Sequence, residues 1–317
     1  MSTLAATGIA LLLAATCLAG ALVLPSAASL WLSLERARSR LALHRVHVAG
    51  FEMPYLEGGR GPVLLLVHGF GGDKDNFTRV ARFLVPYFRV VIPDLPGFGD
   101  ASRDAAASYD IASQVARLHA FVAALGLGQA HLGGNSMGGF IAAQYAATHP
   151  DDVVTLWLLD AAGFDGAFDT DVIRRYAATG ESVLLLRSVA SFDALMATAT
   201  HRRPWLPPAL RRALAARGIR DRTLHERIFR EIGVGSPTLE SISSAIRAPT
   251  LIVWGRQDRI LNPDVAASMH ARIAGSELSM MEDTGHLPMV ERPGRSAGDY
   301  RRFVARHVSA PGAAPRV

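Results

Sequence analysis

The sequence predicts an α/β architecture: a mostly parallel β-sheet with helices on both faces and a helical insertion. Three observations carry that reading. Beyond residue 60, short apolar runs alternate with stretches of helical periodicity. The runs are continuously hydrophobic, as in strands buried on both sides of a parallel sheet. The alternation stops between about residues 164 and 244 and then resumes.

Residues 63–67 (VLLLV) form the first such strand and lead into the glycine-rich turn His68-Gly69-Phe70-Gly71-Gly72. Residues 90–92 form the next, closed by Pro93 and Asp94. A helix is predicted over 111–125, where Ile111, Val115, Leu118, Phe121, Val122 and Leu125 share one face and Gly126 ends it. A strand at 130–133, a helix at 137–149 ended by Pro150, and a strand at 153–159 follow. After the break come strands at 250–254 and 277–281 and helices at 265–273 and 297–307. The break is rich in arginine, with a helical stretch at 183–196 and the interruption Pro204-Trp205-Leu206-Pro207-Pro208. The expected organisation is an N-terminal segment at 1–33, a first core part at 34–163, a helical lid or cap at 164–244, a second core part at 245–310 and a disordered tail at 311–317.

The chain has 317 residues, half of them hydrophobic and 19% charged, which suits a large core and excludes disorder. The formal net charge is +5, but the basic residues are scattered and nearly all arginine, with Lys74 the only lysine. Nucleic-acid binding therefore finds no basic stripe to rest on, and a mild attraction to anionic lipid is the better use of the charge. Cys17 is the only cysteine and lies in the N-terminal apolar run, so no intramolecular disulfide, cysteine-based metal site or thiol nucleophile is expected.

That apolar run spans residues 4–24, with no charge before Glu35. It is long enough for a helix to cross a bilayer core of about 30 Å. Pro25 ends it, and Arg36, Arg38, Arg40 and Arg45 follow, which places the C-terminal side in the cytoplasm. A single-pass membrane anchor is the expectation. Its rival is a signal peptide cleaved near Ala28 and an exported protein; the missing basic n-region and the long apolar run argue against that.

Gly134-Asn135-Ser136-Met137-Gly138 fits Gly-x-Ser-x-Gly between a strand and a helix. There Ser136 sits on a sharp turn, next to the N–H groups and partial positive charge of a helix N-terminus. A serine hydroxyl needs a base, and the base needs an orienting acid. His286 follows the strand at 277–281 by a short loop, and Asp258 lies four residues past the strand ending at Trp254; both fall at the carboxyl edge of the sheet. Asp160, at the end of the strand 153–159, is the rival acid, and His68 the rival base, though it more simply braces its turn. His131, His149, His201 and His307 read as surface or cap residues. The N–H of Met137 and that of Phe70 are the expected oxyanion donors. Neither a phosphate loop nor a dinucleotide fingerprint is present, and His68, Asp73, Asp75 and Asp94 lack metal-ligand spacing, so neither cofactor nor metal is expected.

His68-Gly69-Phe70 with Asp73-Lys74-Asp75, Pro93-Asp94-Leu95-Pro96-Gly97-Phe98-Gly99, Gly134-Asn135-Ser136-Met137-Gly138-Gly139, Trp254-Gly255-Arg256-Gln257-Asp258, and Gly285-His286 with Glu291-Arg292-Pro293 are spaced as in α/β-hydrolases. Within that superfamily the set resembles membrane-anchored monoacylglycerol lipases and related bacterial lipases, over about residues 60–308. The resemblance implies a Ser136–Asp258–His286 triad, oxyanion donors at Phe70 and Met137, and a carboxylic-ester hydrolase of the EC 3.1.1 type acting on a lipid-like ester through an acyl-enzyme. Gly133 departs from the family's branched apolar residue and is expected to weaken its strand. Meta-cleavage-type carbon–carbon hydrolases also use serine and are the alternative. A non-catalytic binding protein on the same fold is the alternative from another class. In the lid, Val183, Leu184, Leu185, Val189, Phe192, Leu195, Met196, Trp205 and Leu206 offer apolar surface for an acyl chain.

Overall fold

The computed structural model describes residues 26–232 and 237–308. Its centre is an eight-stranded sheet: β1 (Ala42–Val48), β2 (Phe51–Gly58), β3 (Val63–Val67), β4 (Arg89–Pro93), β5 (Ala130–Asn135), β6 (Val153–Leu159), β7 (Thr250–Gly255) and β8 (Glu277–Met281). The spatial order is β1-β2-β4-β3-β5-β6-β7-β8. The β1–β2 and β2–β4 pairs are antiparallel and every pair from β4–β3 to β7–β8 is parallel.

The continuous apolar runs become two cores because successive strand residues face opposite sides. Leu65 and Val67 of β3, Leu156 and Leu158 of β6, and Ile252 and Trp254 of β7 enter one core; Leu64 and Leu66, Trp157 and Leu159, and Leu251 and Val253 enter the other. The first core is covered by helices α3 (Ile111–Ala124) and α4 (Met137–Thr148), which contribute Leu118, Phe121, Phe140 and Ile141. The second is covered by α2 (Thr78–Ala81) and α12 (Pro293–His307), with Val80, Tyr300 and Phe303. Asp110 starts α3, its side chain accepting the Ser113 N–H at 2.7 Å.

Gly133 answers a steric demand in β5. A Cβ there would lie 2.9 Å from Leu66 Cδ2 and 3.3 Å from Trp157 Cβ. The volume of the usual branched residue is taken by the Trp157 indole on β6, which stacks on Tyr300 at 4.4 Å.

Between β6 and β7 the described chain runs through α5 (Asp171–Thr179), α6 (Val189–Ala199), α7 (Pro208–Arg220), α8 (Arg222–Ile232) and α9 (Leu239–Ile242). The helix expected over 183–196 begins only at Val189. Ser188 caps it by accepting the Ser191 N–H at 3.1 Å, and the residues before it are not helical. The remaining helices are α10 (Val265–Arg272) and α11 (Pro288–Glu291).

Several elements were not anticipated, among them the short helices α2 and α11 and two pieces at the N-terminal side of the sheet. The β1–β2 hairpin forms the antiparallel edge of the sheet, and helix α1 (Ala27–Arg38) lies ahead of it. Ser26 starts α1, accepting the Ser29 N–H at 3.1 Å. Of the four arginines that follow the apolar run, Arg36 turns inward onto Asp75, with bonds of 2.7 and 2.6 Å, and Arg45 pairs with Glu52. Among the described residues no helix is long and apolar enough to cross a membrane. The apolar run at 4–24, which carries the anchor expectation, lies outside them, as does the tail at 311–317.

His131 is a core residue of β5, not a surface one. Its Nδ1 lies 2.8 Å from Thr155 Oγ1, which in turn lies 2.8 Å from the Tyr300 hydroxyl. Burial pushes its pKa down to about 4 from 6.5. A histidine held neutral in the fold but free to charge when unfolded contributes stability above pH 6.5 that is lost as pH falls towards about 4. Urea unfolding at pH 7.5 and 4.5 checks this: the parent loses on the order of 2 kcal/mol more than His131→Gln between the two conditions.

Candidate active site

The turn from β5 into α4 brings three backbones together. A Cβ on Gly134 would lie 2.1 Å from the Gly138 carbonyl oxygen, and one on Gly138 would lie 2.2 Å from that of Val67, so only glycine fits either position. Ser136 between them has φ 56° and ψ −121°, a conformation that side chains with a Cβ rarely take. The surroundings hold it there: its N–H donates to the Leu159 carbonyl at 3.0 Å, and its own carbonyl accepts from Phe140 and Ala162. Although Ser136 is the N-cap of α4, its hydroxyl makes no capping bond and stays available.

His286 and Asp258 meet as expected from their strands. Imidazole Nδ1 lies 2.7 Å from Asp258 Oδ2, and both residues are buried. Asp258 Oδ1 accepts the N–H groups of Ile260 and Leu261 at 2.8 and 3.1 Å, which orients the carboxylate. With Nδ1 engaged by the acid, Nε2 is the nitrogen left for other chemistry. Ser136 and His286 line one cavity of about 240 Å³.

The first glycine-rich turn borders the same cavity. A Cβ on Gly69 would sit 3.1 Å from Ser136 Cβ, so the turn carrying Phe70 passes directly beside the serine. The Phe70 ring packs edge-on against Phe98 and Phe229. Met137 is buried as the first residue of α4. His68 is fully committed to bracing: Leu95 N–H donates to its Nε2 at 3.0 Å, so Nδ1 carries the proton and donates to the Gly69 carbonyl at 2.8 Å. Burial lowers its pKa.

Asp73, Asp75 and Asp94, the carboxylates weighed as metal ligands, face cations of the chain. Lys74 is fully buried, and its Nζ donates to Asp94 at 2.8 Å and Asp100 at 2.7 Å. Arg217 of α7 joins Asp73 and Asp100, and Arg36 of α1 holds Asp75. Burial opposes the Lys74 charge, but Asp94, Asp73 and Asp75 outweigh it and its pKa is raised. Asp160 is buried at the end of β6 with φ 44°, its Oδ1 accepting the Gly255 N–H at 2.9 Å.

Several residues at the site escaped the sequence reading. Asn135 Nδ2 donates to the carbonyls of Leu159 and His286 at 3.1 and 3.0 Å, tying the histidine loop to the serine turn. Glu291 accepts the Gly285, His201 and Arg202 N–H groups, and the His286 N–H donates to the Ala199 carbonyl at the end of α6. Leu184, Phe192, Leu195, Met196 and Leu206 line the cavity as anticipated, together with Leu186, Leu210, Leu214 and, from α1, Trp31 and Leu32. Leu185 is buried, and Val189 packs into a small core with Leu186 and Phe192. Trp205 is 69% exposed and meets Trp31 edge-on at 5.6 Å.

The chain is similar to "Lipase 1" of Psychrobacter immobilis, with 39% identity over 274 residues, 85% of this chain and 86% of that protein. It is similar to monoacylglycerol lipase ABHD6 of Bos taurus at 30% identity over 257 residues, covering 78% of this chain and 76% of that one. Among solved structures, a membrane phospholipase A described as a bacterial virulence factor superposes with a TM-score of 0.90 at 39% identity, over 98% of this chain and all of that one. The family model for the alpha/beta hydrolase fold matches residues 62–293. With that match over most of its length, and with the sheet order and serine turn described above, the chain belongs to the α/β-hydrolase family.

Proposed function

We propose that the chain is a serine carboxylic-ester hydrolase of lipid-like esters, of the monoacylglycerol lipase kind. The observation that carries this is the 2.7 Å His286–Asp258 contact on a cavity that Ser136 also lines. Ser136 is the nucleophile, His286 Nε2 takes its proton, and Asp258 orients and stabilises the imidazolium that forms. As Ser136 Oγ attacks the ester carbonyl, the N–H groups of Phe70 and Met137 hold the oxyanion. The alcohol leaves with the proton from His286, and water then hydrolyses the acyl-enzyme by the same route. Residues 164–244 serve as the lid, and its apolar cavity wall, with Phe192, Leu195 and Met196, takes the acyl chain.

The triad is tested by substitution. Ser136→Ala removes nearly all ester turnover and all fluorophosphonate labelling while the far-UV circular dichroism stays as in the parent. Asp258→Asn lowers kcat on the order of 10⁴-fold. Substantial turnover in a folded Ser136→Ala protein would sink the triad assignment.

Substrate class is tested with a panel. A medium- or long-chain monoacylglycerol is cleaved faster than a vinylogous 1,5-diketone. The reverse order would make the chain a carbon–carbon bond hydrolase, and no hydrolysis of any activated ester would make it a binding protein.

We further propose that the apolar run at 4–24 anchors the protein in the membrane, with the catalytic domain, α1 included, on the cytoplasmic side, where monoacylglycerols partition beside it. The protein then stays in membranes through an alkaline wash and resists protease added to intact cells. A mature N-terminus near residue 29, or digestion from outside, overturns that placement.

A further inference from the structure

Asp160 has no part in the acyl transfer described above, yet it is held at φ 44° with its carboxyl sealed from solvent. A buried carboxyl in strained backbone has to be accounted for by what it touches. Its N–H donates to the Val253 carbonyl at 2.9 Å, which seats it across the ends of β6 and β7. Its Oδ1 accepts the Gly255 N–H, and its Oδ2 has no donor among the described residues. One ligand atom each from Asp160, Asp258 and His286 lie within 4.8 Å of one another.

The charged and titratable groups facing Asp160 are Asp258, His286 and, beyond them, Glu291. No lysine or arginine is among them. Two carboxyls this close in a dry site share a single negative charge. The charge belongs on Asp258, which has two backbone N–H donors and the imidazole, against a single N–H for Asp160.

We propose that Asp160 is a positioning residue of the triad: a neutral carboxylic acid whose Oδ2–H donates to the Asp258 carboxylate and fixes it for His286. This rests on the triad reading given above. Burial first, and then the Asp258 charge, push the Asp160 carboxyl well above the usual carboxylate range, with the Gly255 N–H opposing them. The orphaned Oδ2 gains its partner once it carries the proton. The donated bond also tempers the basicity of Asp258, so the proton between Asp258 and His286 stays on the imidazole.

The test compares the parent with Asp160→Asn, Asp160→Ala and Asp258→Asn, by kcat, KM and the pH profile of kcat/KM. Asparagine keeps the shape, the acceptor for Gly255 and a donor towards Asp258. We expect Asp160→Asn to retain at least about a third of kcat, with the acid limb of the profile in place. Asp160→Ala loses about 10- to 100-fold in kcat with KM little changed, the size carried by outer partners of a histidine–carboxylate pair. Its acid limb moves to higher pH, because an unrestrained Asp258 charge favours the imidazolium over the free base. Should Asp160→Ala not fold, the infrared difference between the parent and Asp160→Asn at pH 7 decides: a protonated-carboxyl C=O band is expected in the parent.

The proposal is overturned if that band is missing, or if Asp160→Asn shifts the acid limb to lower pH, since either result means that Asp160 carries charge. It is equally overturned if Asp160→Ala folds and matches the parent in kcat and acid limb. In these cases an inactive Asp258→Asn leaves the triad reading standing. If Asp258→Asn is active and Asp160→Asn is dead, Asp160 is itself the acid and both readings fall together.

Discussion

The buried Lys74 ammonium is the constraint around which the catalytic edge of the sheet is organised. It sits in the turn after β3, and the loop after β4 comes to it with Asp94 and Asp100. Its own backbone N–H also donates to Asp94, at 2.7 Å, so the turn is clamped at main chain and side chain together. Gly99 follows from this: with φ 55°, a Cβ there would lie 2.3 Å from Asp94 Cγ. A charge so fully removed from water is tolerable only with several partners, and removing one from such a pair typically costs about 3–5 kcal/mol. The neighbouring Asp73 and Asp75 extend the same cluster to α7 and α1 through Arg217 and Arg36. The position of Phe70 beside Ser136 is thus set by ionic contacts among four segments of the chain.

The strands of the parallel part were legible because their apolar runs have no other use than burial on two faces. The serine turn was legible because glycine at 134 and 138 answers a steric demand visible in five consecutive residues. The β1–β2 hairpin was not, since it interleaves His44, Arg45 and His47 with apolar residues and carries Pro54 within a strand. The residues around 183–188 were read with the wrong period. In the structure they form a turn, in which the Leu185 N–H donates to the Ser182 carbonyl at 3.1 Å, and Leu184 and Leu186 line the cavity from it. Asn135, Asp160 and Glu291 share a different difficulty. Each is a polar residue whose value depends on partners 24 or more positions away or on a neighbouring loop, and no local pattern encodes such a meeting.

The links between the histidine loop and the rest of the site run in two directions. Asn135 fastens it to the serine turn, while the Ala199 carbonyl and Glu291 fasten it to the end of α6. A displacement of α6 therefore pulls on the backbone of His286 itself and not only on the roof of the cavity. Cavity access and the alignment of the imidazole are mechanically joined, because one backbone hydrogen bond belongs to both.

Helix α1 has a bearing on how the protein can be handled. It packs along α7, places Trp31 and Leu32 on the cavity wall, and sends Arg36 to a nearly buried Asp75. Cutting the chain after residue 33 to obtain a domain free of the apolar N-terminus would break α1 and take Trp31 and Leu32 from the cavity wall, and cutting after residue 38 would also strand that carboxylate without its guanidinium. A shortened form that preserves the catalytic edge has to begin at or before Ser26, so the first residues of any trimmed version are set by the cap of α1 and by what that helix brings to the cavity, and not by where hydrophobicity ends.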